Sequence, residues 1–127
     1  MIAKRVGLTL LLIALISVAA SVTVMVLPDA PLPPGAPRGQ QIYARFCATC
    51  HGRSGSGSWR STLVLMRPGN LADRARMRDL SDQYLFDLIK NGGAPIGKPG
   101  MPGFGFHLTD ADIRELLAYV RALPGNR

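Results

Sequence analysis

The chain opens with one unbroken apolar stretch and then changes character. Val6 to Leu27 holds no charged residue. As a helix it would be about 33 Å long, enough to cross a hydrocarbon core of about 30 Å. Lys4 and Arg5 precede it and Asp29 follows. The positive-inside tendency then puts the N-terminus in the cytoplasm and everything after Leu27 outside. The alternative is a cleaved signal peptide, for which Ser17-Val18-Ala19 and Val18-Ala19-Ala20 are acceptable small-residue sites. Cleavage there would leave an apolar tail, Ser21 to Leu27, on a soluble protein. That favours an uncleaved single-pass anchor in the inner membrane with the rest in the periplasm, over a soluble periplasmic form.

Beyond the apolar stretch, Pro28, Pro31, Pro33, Pro34 and Pro37 mark a semi-rigid spacer of polyproline type. Apolar positions then recur at helical spacing in three places. The first runs from about Gly39 through Ala48, with Ile42, Tyr43 and Phe46 on one side. The second follows Leu80. Ser81 is a plausible N-cap, Leu85, Leu88 and Ile89 keep the period, and Asn91-Gly92-Gly93 ends it. The third begins at Thr109, where Asp112 completes a capping-box pattern with Asp in place of Glu or Gln. Ile113, Leu116, Leu117, Val120 and Leu123 form its stripe, and Pro124-Gly125 stops it. Strand signals are nearly absent, and the apolar run Thr62 to Met66 is too short to assign. The pattern predicts an all-α protein in three parts: an anchor over 1–27, a linker over 28–37 and one small domain over 38–127.

Composition adds a constraint. A domain this small buries too little surface to be comfortable without a disulfide, metal or cofactor. Aromatic residues are only 6% of the chain, so little large side-chain mass fills a core. The formal charge is +7, nearly all from arginine. A basic balance suits an acidic protein partner, an anionic membrane or nucleic acid. Export and the lack of any nucleic-acid motif exclude the last. Arginine is suited to bidentate pairing with carboxylates.

The chemistry is concentrated in Cys47-Ala48-Thr49-Cys50-His51, which contains both cysteines of the chain. This is the haem-attachment pattern C-x-x-C-H. At i and i+3 on a helical turn both sulfurs project from one face and can each bond a haem vinyl group. His51 then stands next to the ring as proximal axial ligand. A thioredoxin-like dithiol would need a βαβ context, and zinc would need more ligands than the chain offers. For the sixth position the candidates are Met66, Met77, Met101 and His107. Met101 sits in Gly97-Lys98-Pro99-Gly100-Met101-Pro102-Gly103-Phe104-Gly105, where prolines stiffen the backbone and glycines let it turn close to a flat ring. Pro102 biases Met101 away from helical dihedrals. Met66 reads as core filler, Met77 between two arginines as a surface residue, and His107 as a loop residue. The preferred pair on iron is therefore His51 and Met101.

These motifs resemble a class I c-type cytochrome over about Arg38 to Leu123. Gly39 and Tyr43 stand eight and four residues before Cys47. In that family, residues of these kinds pack the first helix against the last, which Leu116-Leu117-Ala118-Tyr119-Val120 matches. Gly100-Met101-Pro102-Gly103-Phe104 resembles the family's axial-methionine loop. The resemblance implies a small cytochrome c fold around one haem c, attached through Cys47 and Cys50. It also implies that the Pro68 carbonyl accepts the N–H of the axial histidine. Trp59, Arg60 and Arg67 are candidates for hydrogen bonds to the haem propionates.

The implied function is electron transfer, with no catalytic residues and no small-molecule substrate. The chain would be a carrier or the cytochrome subunit of a respiratory or other oxidoreductase complex, docking redox proteins through acidic surfaces on them. Arg45, Arg53 and Lys98, or the cluster Arg67, Arg74, Arg76 and Arg78, are candidate docking residues. The competing class is a haem enzyme or gas sensor with an open sixth site, which requires that Met101 not bind.

Overall fold

A computed structural model describes residues 2–26, 31–63 and 65–123. The expected end of the anchor at Leu27, the spacer positions 28–30, Val64 and the helix stop at Pro124-Gly125 lie outside the described residues. The chain divides into two compact units, Met1–Pro31 and Leu32–Arg127.

The first unit is one helix, α1 (Ile2–Val26), of 25 residues. Its segment Arg5–Thr23 is apolar and long enough to cross a membrane, and none of it is buried. Three of its hydroxyls bond back onto the helix. Thr9, Ser21 and Thr23 hydroxyls donate to the carbonyls of Arg5, Ser17 and Ala19 at 2.9, 2.8 and 2.8 Å. A hydroxyl satisfied this way adds little cost in an apolar surrounding.

The second unit is all helical among the described residues: α2 (Arg38–Phe46), α3 (Ala48–His51), α4 (Trp59–Leu63), α5 (Arg74–Arg78), α6 (Asp82–Asn91), a 3-10 turn at Ala94–Ile96, and α7 (Asp110–Arg121). Helices α2 and α7 pack closely because Gly39 has no side chain. A Cβ there would stand 2.1 Å from the Glu115 carbonyl oxygen. One turn on, the Tyr43 and Tyr119 rings meet with centroids 5.3 Å apart. Ile113, Leu116, Leu123 and Tyr43 are the most deeply buried side chains.

The caps follow the sequence pattern. Ser81 Oγ accepts the Tyr84 N–H at 3.1 Å at the start of α6. Thr109 and Asp112 form a reciprocal capping box at the start of α7. The expected helix through Ala48 is instead two: Cys47, at φ −112°, separates α2 from α3. Helices α4 and α5 were not expected.

Two methionines are placed differently from the sequence reading. Met77 is 3% exposed and part of the core, whereas Met66 is 38% exposed. The reason for Met77 is α5, a single short helix that turns it inward while Arg74, Arg76 and Arg78 stay exposed. Asp73 caps this helix by accepting the Arg76 N–H at 3.2 Å. Arg121 fastens the same corner to α7, its guanidinium donating to the Met77 carbonyl, to the Leu80 carbonyl at 2.6 Å and to Asp82 at 2.7 Å.

Candidate functional site

Cys47, Cys50 and His51 occupy the short helical turn after α2, and their backbone is tied down from several directions. His51 N–H donates to the Cys47 carbonyl at 2.9 Å. Ser58 N–H reaches the Cys50 carbonyl at 3.0 Å, and Gly57 N–H the His51 carbonyl at 2.7 Å. Gly52 ends the turn at φ 73°, where a Cβ would stand 2.5 Å from the Gly57 carbonyl oxygen. The buried Tyr43 hydroxyl donates to the Gly52 carbonyl at 2.7 Å. The motif is thus held by the same tyrosine that packs α2 against α7.

The His51 ring is oriented by a second segment. Its Nδ1 lies 3.1 Å from the Gly69 carbonyl oxygen. A carbonyl can only accept, so Nδ1 carries the proton and Nε2 keeps its lone pair. Burial lowers the His51 pKa, and the bond to Gly69 offsets that in part. Burial thus favours the neutral imidazole that a metal requires, and the bond to Gly69 sets which ring nitrogen carries the proton. This corrects the expected role of Pro68: the accepting carbonyl belongs to the next residue. The physical reason is the path of segment 69–71. Leu71 N–H is pinned to the Gly55 carbonyl at 2.8 Å, and the chain reaches that bond with the Gly69 carbonyl toward His51. Pro68 itself is half-buried just before it.

Burial, with Cys50 as a lesser contributor, pushes the Cys47 thiol up to about 12. A redox-active dithiol works through a lowered thiol pKa in an electropositive setting, the opposite direction to that of Cys47.

Met101 is half-buried against the core. Its N–H donates to the Lys98 carbonyl at 3.0 Å, and its carbonyl accepts the Gly93 N–H at 2.9 Å. Phe104 N–H donates to the Ile89 carbonyl at 3.0 Å, so the loop lies along the end of α6. The Phe104 ring meets Phe46 edge-on at 5.7 Å, beside Cys47. The methionine loop and the cysteine motif are therefore joined through one aromatic pair.

The remaining candidates are more open. Trp59 is 51% exposed at the start of α4, with the Arg60 guanidinium 5.5 Å from its ring centroid. Arg67 and His107 are exposed. The Gly69 carbonyl was not foreseen as a site group. No side-chain signal could reveal it, since every residue carries a carbonyl.

The donor set fits a haem. An imidazole and a thioether are too few donors to hold a bare ion, and would suit a group that brings its own donors, as a haem does. The two cysteines are not joined to each other, so both sulfurs are available for attachment. Among the described residues, no cluster of three or more His, Cys, Asp or Glu forms a site for a bare ion.

Residues 34–120 match the protein family described as cytochrome c oxidase, cbb3-type, subunit III. The FixP subunit of the cbb3-type cytochrome c oxidase from Azorhizobium caulinodans is 31% identical over 94 residues, 74% of this chain and 29% of that protein. FixP from Bradyrhizobium diazoefficiens is 27% identical over 92 residues, 72% of this chain and 29% of its own length. The chain thus spans less than a third of the length of these relatives. Among solved structures, the KustC0563 c-type cytochrome superposes with a TM-score of 0.57 at 26% identity, covering 67% of this chain and 95% of that one. With the motif, the helical fold and the family match in agreement, the chain belongs to the cbb3-type subunit III family and is a mono-haem class I c-type cytochrome, an electron-transfer protein with its haem bound covalently through Cys47 and Cys50.

Proposed function

We propose that this chain is a membrane-tethered electron carrier with His51 and Met101 as axial ligands, working on the periplasmic face of the inner membrane as the cytochrome subunit of an oxidase complex and not itself the catalyst. The observation that carries the ligand assignment is the His51 Nδ1 bond to the Gly69 carbonyl at 3.1 Å, which leaves Nε2 as the ligating nitrogen. The docked Met101 loop supports the other half. In this reading residues 1–27 anchor the chain, 28–37 space it from the bilayer, and 38–127 carry the haem.

Haem iron supplies a one-electron couple, and methionine ligation raises its potential relative to two histidines. The residues of this chain keep the surroundings unchanged as charge comes and goes. Cys47 and Cys50 would hold the group covalently in place. The bond from His51 to Gly69 prevents the imidazole from turning. Phe46, Phe104 and Leu71 pack against the core beside these segments. Trp59, with Arg60 stacked on it, and Arg67 are the proposed donors to the propionates.

The relatives' names support a place in an oxidase complex, and the charge pattern supports partners with acidic surfaces. From Ala30 to Ala72 there is no Asp or Glu, while Arg38, Arg45, Arg53, Arg60 and Arg67 fall in that span. That stretch holds the haem-attachment motif, so the electron-exchanging part of the domain is its basic part. Steering by such charge weakens with salt.

A redox titration of the detergent-extracted full chain tests the assignment. Met101→Ala should lower the midpoint potential and abolish the weak red absorption of ferric iron bound to methionine sulfur. A Met101→Ala protein with the wild-type potential and band would overturn it.

A further inference from the structure

The assignment of Met101 leaves a second methionine without a role. Met66 is 38% exposed, so burial does not account for its position. Its side chain lies on Gly100, the residue before Met101. A Cβ on Gly100 would stand 2.9 Å from Met66 Sδ and 3.6 Å from its Cγ.

The turn that aims Met66 is strained. Met66 N–H donates to the Ser61 carbonyl at 2.9 Å, and Leu65 N–H donates to the Thr62 carbonyl at 3.1 Å. This pair of bonds closes a helix on a left-handed residue, usually glycine. Here the residue is Leu65, at φ 57°. A leucine in that region is strained, and a side chain 93% exposed gains no packing in return. The strain sits at the residue that directs Met66 onto the ligand loop.

We propose that Met66 is a positioning residue for Met101: its thioether, aimed by the left-handed turn at Leu65, braces the Gly100–Met101 backbone and holds the loop closed. The proposal rests on Met101 being the axial ligand. The bonds of Met101 to Lys98 and Gly93 come from its own loop and the neighbouring turn. Met66 adds a contact from a different segment of the chain. An unbranched, polarizable thioether suits such an irregular gap. Without the brace the loop opens more often, and an external ligand binds in proportion to the open fraction.

The test is imidazole binding to the ferric full-length holoprotein, followed by loss of the red sulfur–iron band. Met66→Ala should bind imidazole with an apparent Kd lower by about tenfold, a loss of local closure of ordinary size. Met66→Leu, which refills the space, should stay near wild type. Gly100→Ala, which places a methyl 2.9 Å from Sδ and so crowds it off the loop, should shift in the direction of Met66→Ala. A wild-type protein that lacks the band overturns the ligand assignment and this proposal with it. A wild-type protein that has the band, with Met66→Ala within about twofold of its affinity, overturns the brace alone. So does a Met66→Leu protein as open as Met66→Ala.

Discussion

Gly39 sets the distance between α2 and α7. The space its side chain would fill is taken by the Glu115 carbonyl, 2.1 Å from the ideal Cβ position. Neither side can yield cheaply, because both are helix backbone. Gly39→Ala should therefore force the helices apart and separate Tyr43 from Tyr119. Overpacking of this kind costs about 1–3 kcal/mol, and a backbone clash belongs at the upper end. Chemical denaturation of the holoprotein measures it, and an unchanged midpoint would contradict the packing described. Tyr43 extends the effect to the site, since its hydroxyl holds the Gly52 carbonyl at the end of the cysteine motif.

Among the elements, α7 has its start most heavily fastened. Thr109 Oγ accepts the Asp112 N–H at 3.1 Å, and Asp112 accepts the Thr109 N–H at 3.2 Å. Arg38 of α2 also donates to Asp112 at 2.8 Å, and Lys90 of α6 donates to Asp110 at 2.7 Å. Thr109→Ala should cost about 1 kcal/mol, as loss of a cap does. The hydrogen bond from Lys90 holds the Asp110 carboxyl below its ordinary range, and the bonds from Arg38 and Thr109 do the same for Asp112. Both carboxylates thus add stability that is complete above the ordinary carboxylate pKa of about 4. It is lost as pH falls through their lower folded values. The share of Tm owed to these two carboxylates should be level from about pH 8 to 5 and fall below about pH 4. Asp112→Asn should make that acid fall shallower. An equal acid fall in the variant would contradict the role given to Asp112.

The same elements show what a sequence can reveal. Helices α6 and α7 each carry an apolar stripe and a capping residue, and both were legible. Helices α4 and α5 have five residues each, too few to display a period, and packing alone reveals that Met77 turns inward. Cys47, Cys50 and His51 announce themselves by spacing. The expectation for Pro68 fell one residue short, because the accepting group is a backbone carbonyl and its direction depends on how Leu71 is pinned to Gly55. The bracing contact of Met66 joins segments far apart in sequence, so no local pattern contains it.

For the molecule as a whole, one apolar helix and one small helical domain form two separate units. In the proposed function the domain's chemistry depends on joining three of its segments: the cysteine motif, the segment at Gly69 and the loop at Met101. The Phe46–Phe104 contact and the His51–Gly69 bond make those joins. A carrier of this design exchanges electrons without exchanging ligands, and that property separates it from a haem enzyme or gas sensor. Carbon monoxide binds ferrous haem wherever an axial position is free, so it reads the property directly. The visible spectrum of the reduced full-length protein, before and after carbon monoxide, should be the same. A prompt shift to a carbon monoxide-bound spectrum would mean that the sixth position is open, and would contradict the electron-carrier account built on His51 and Met101.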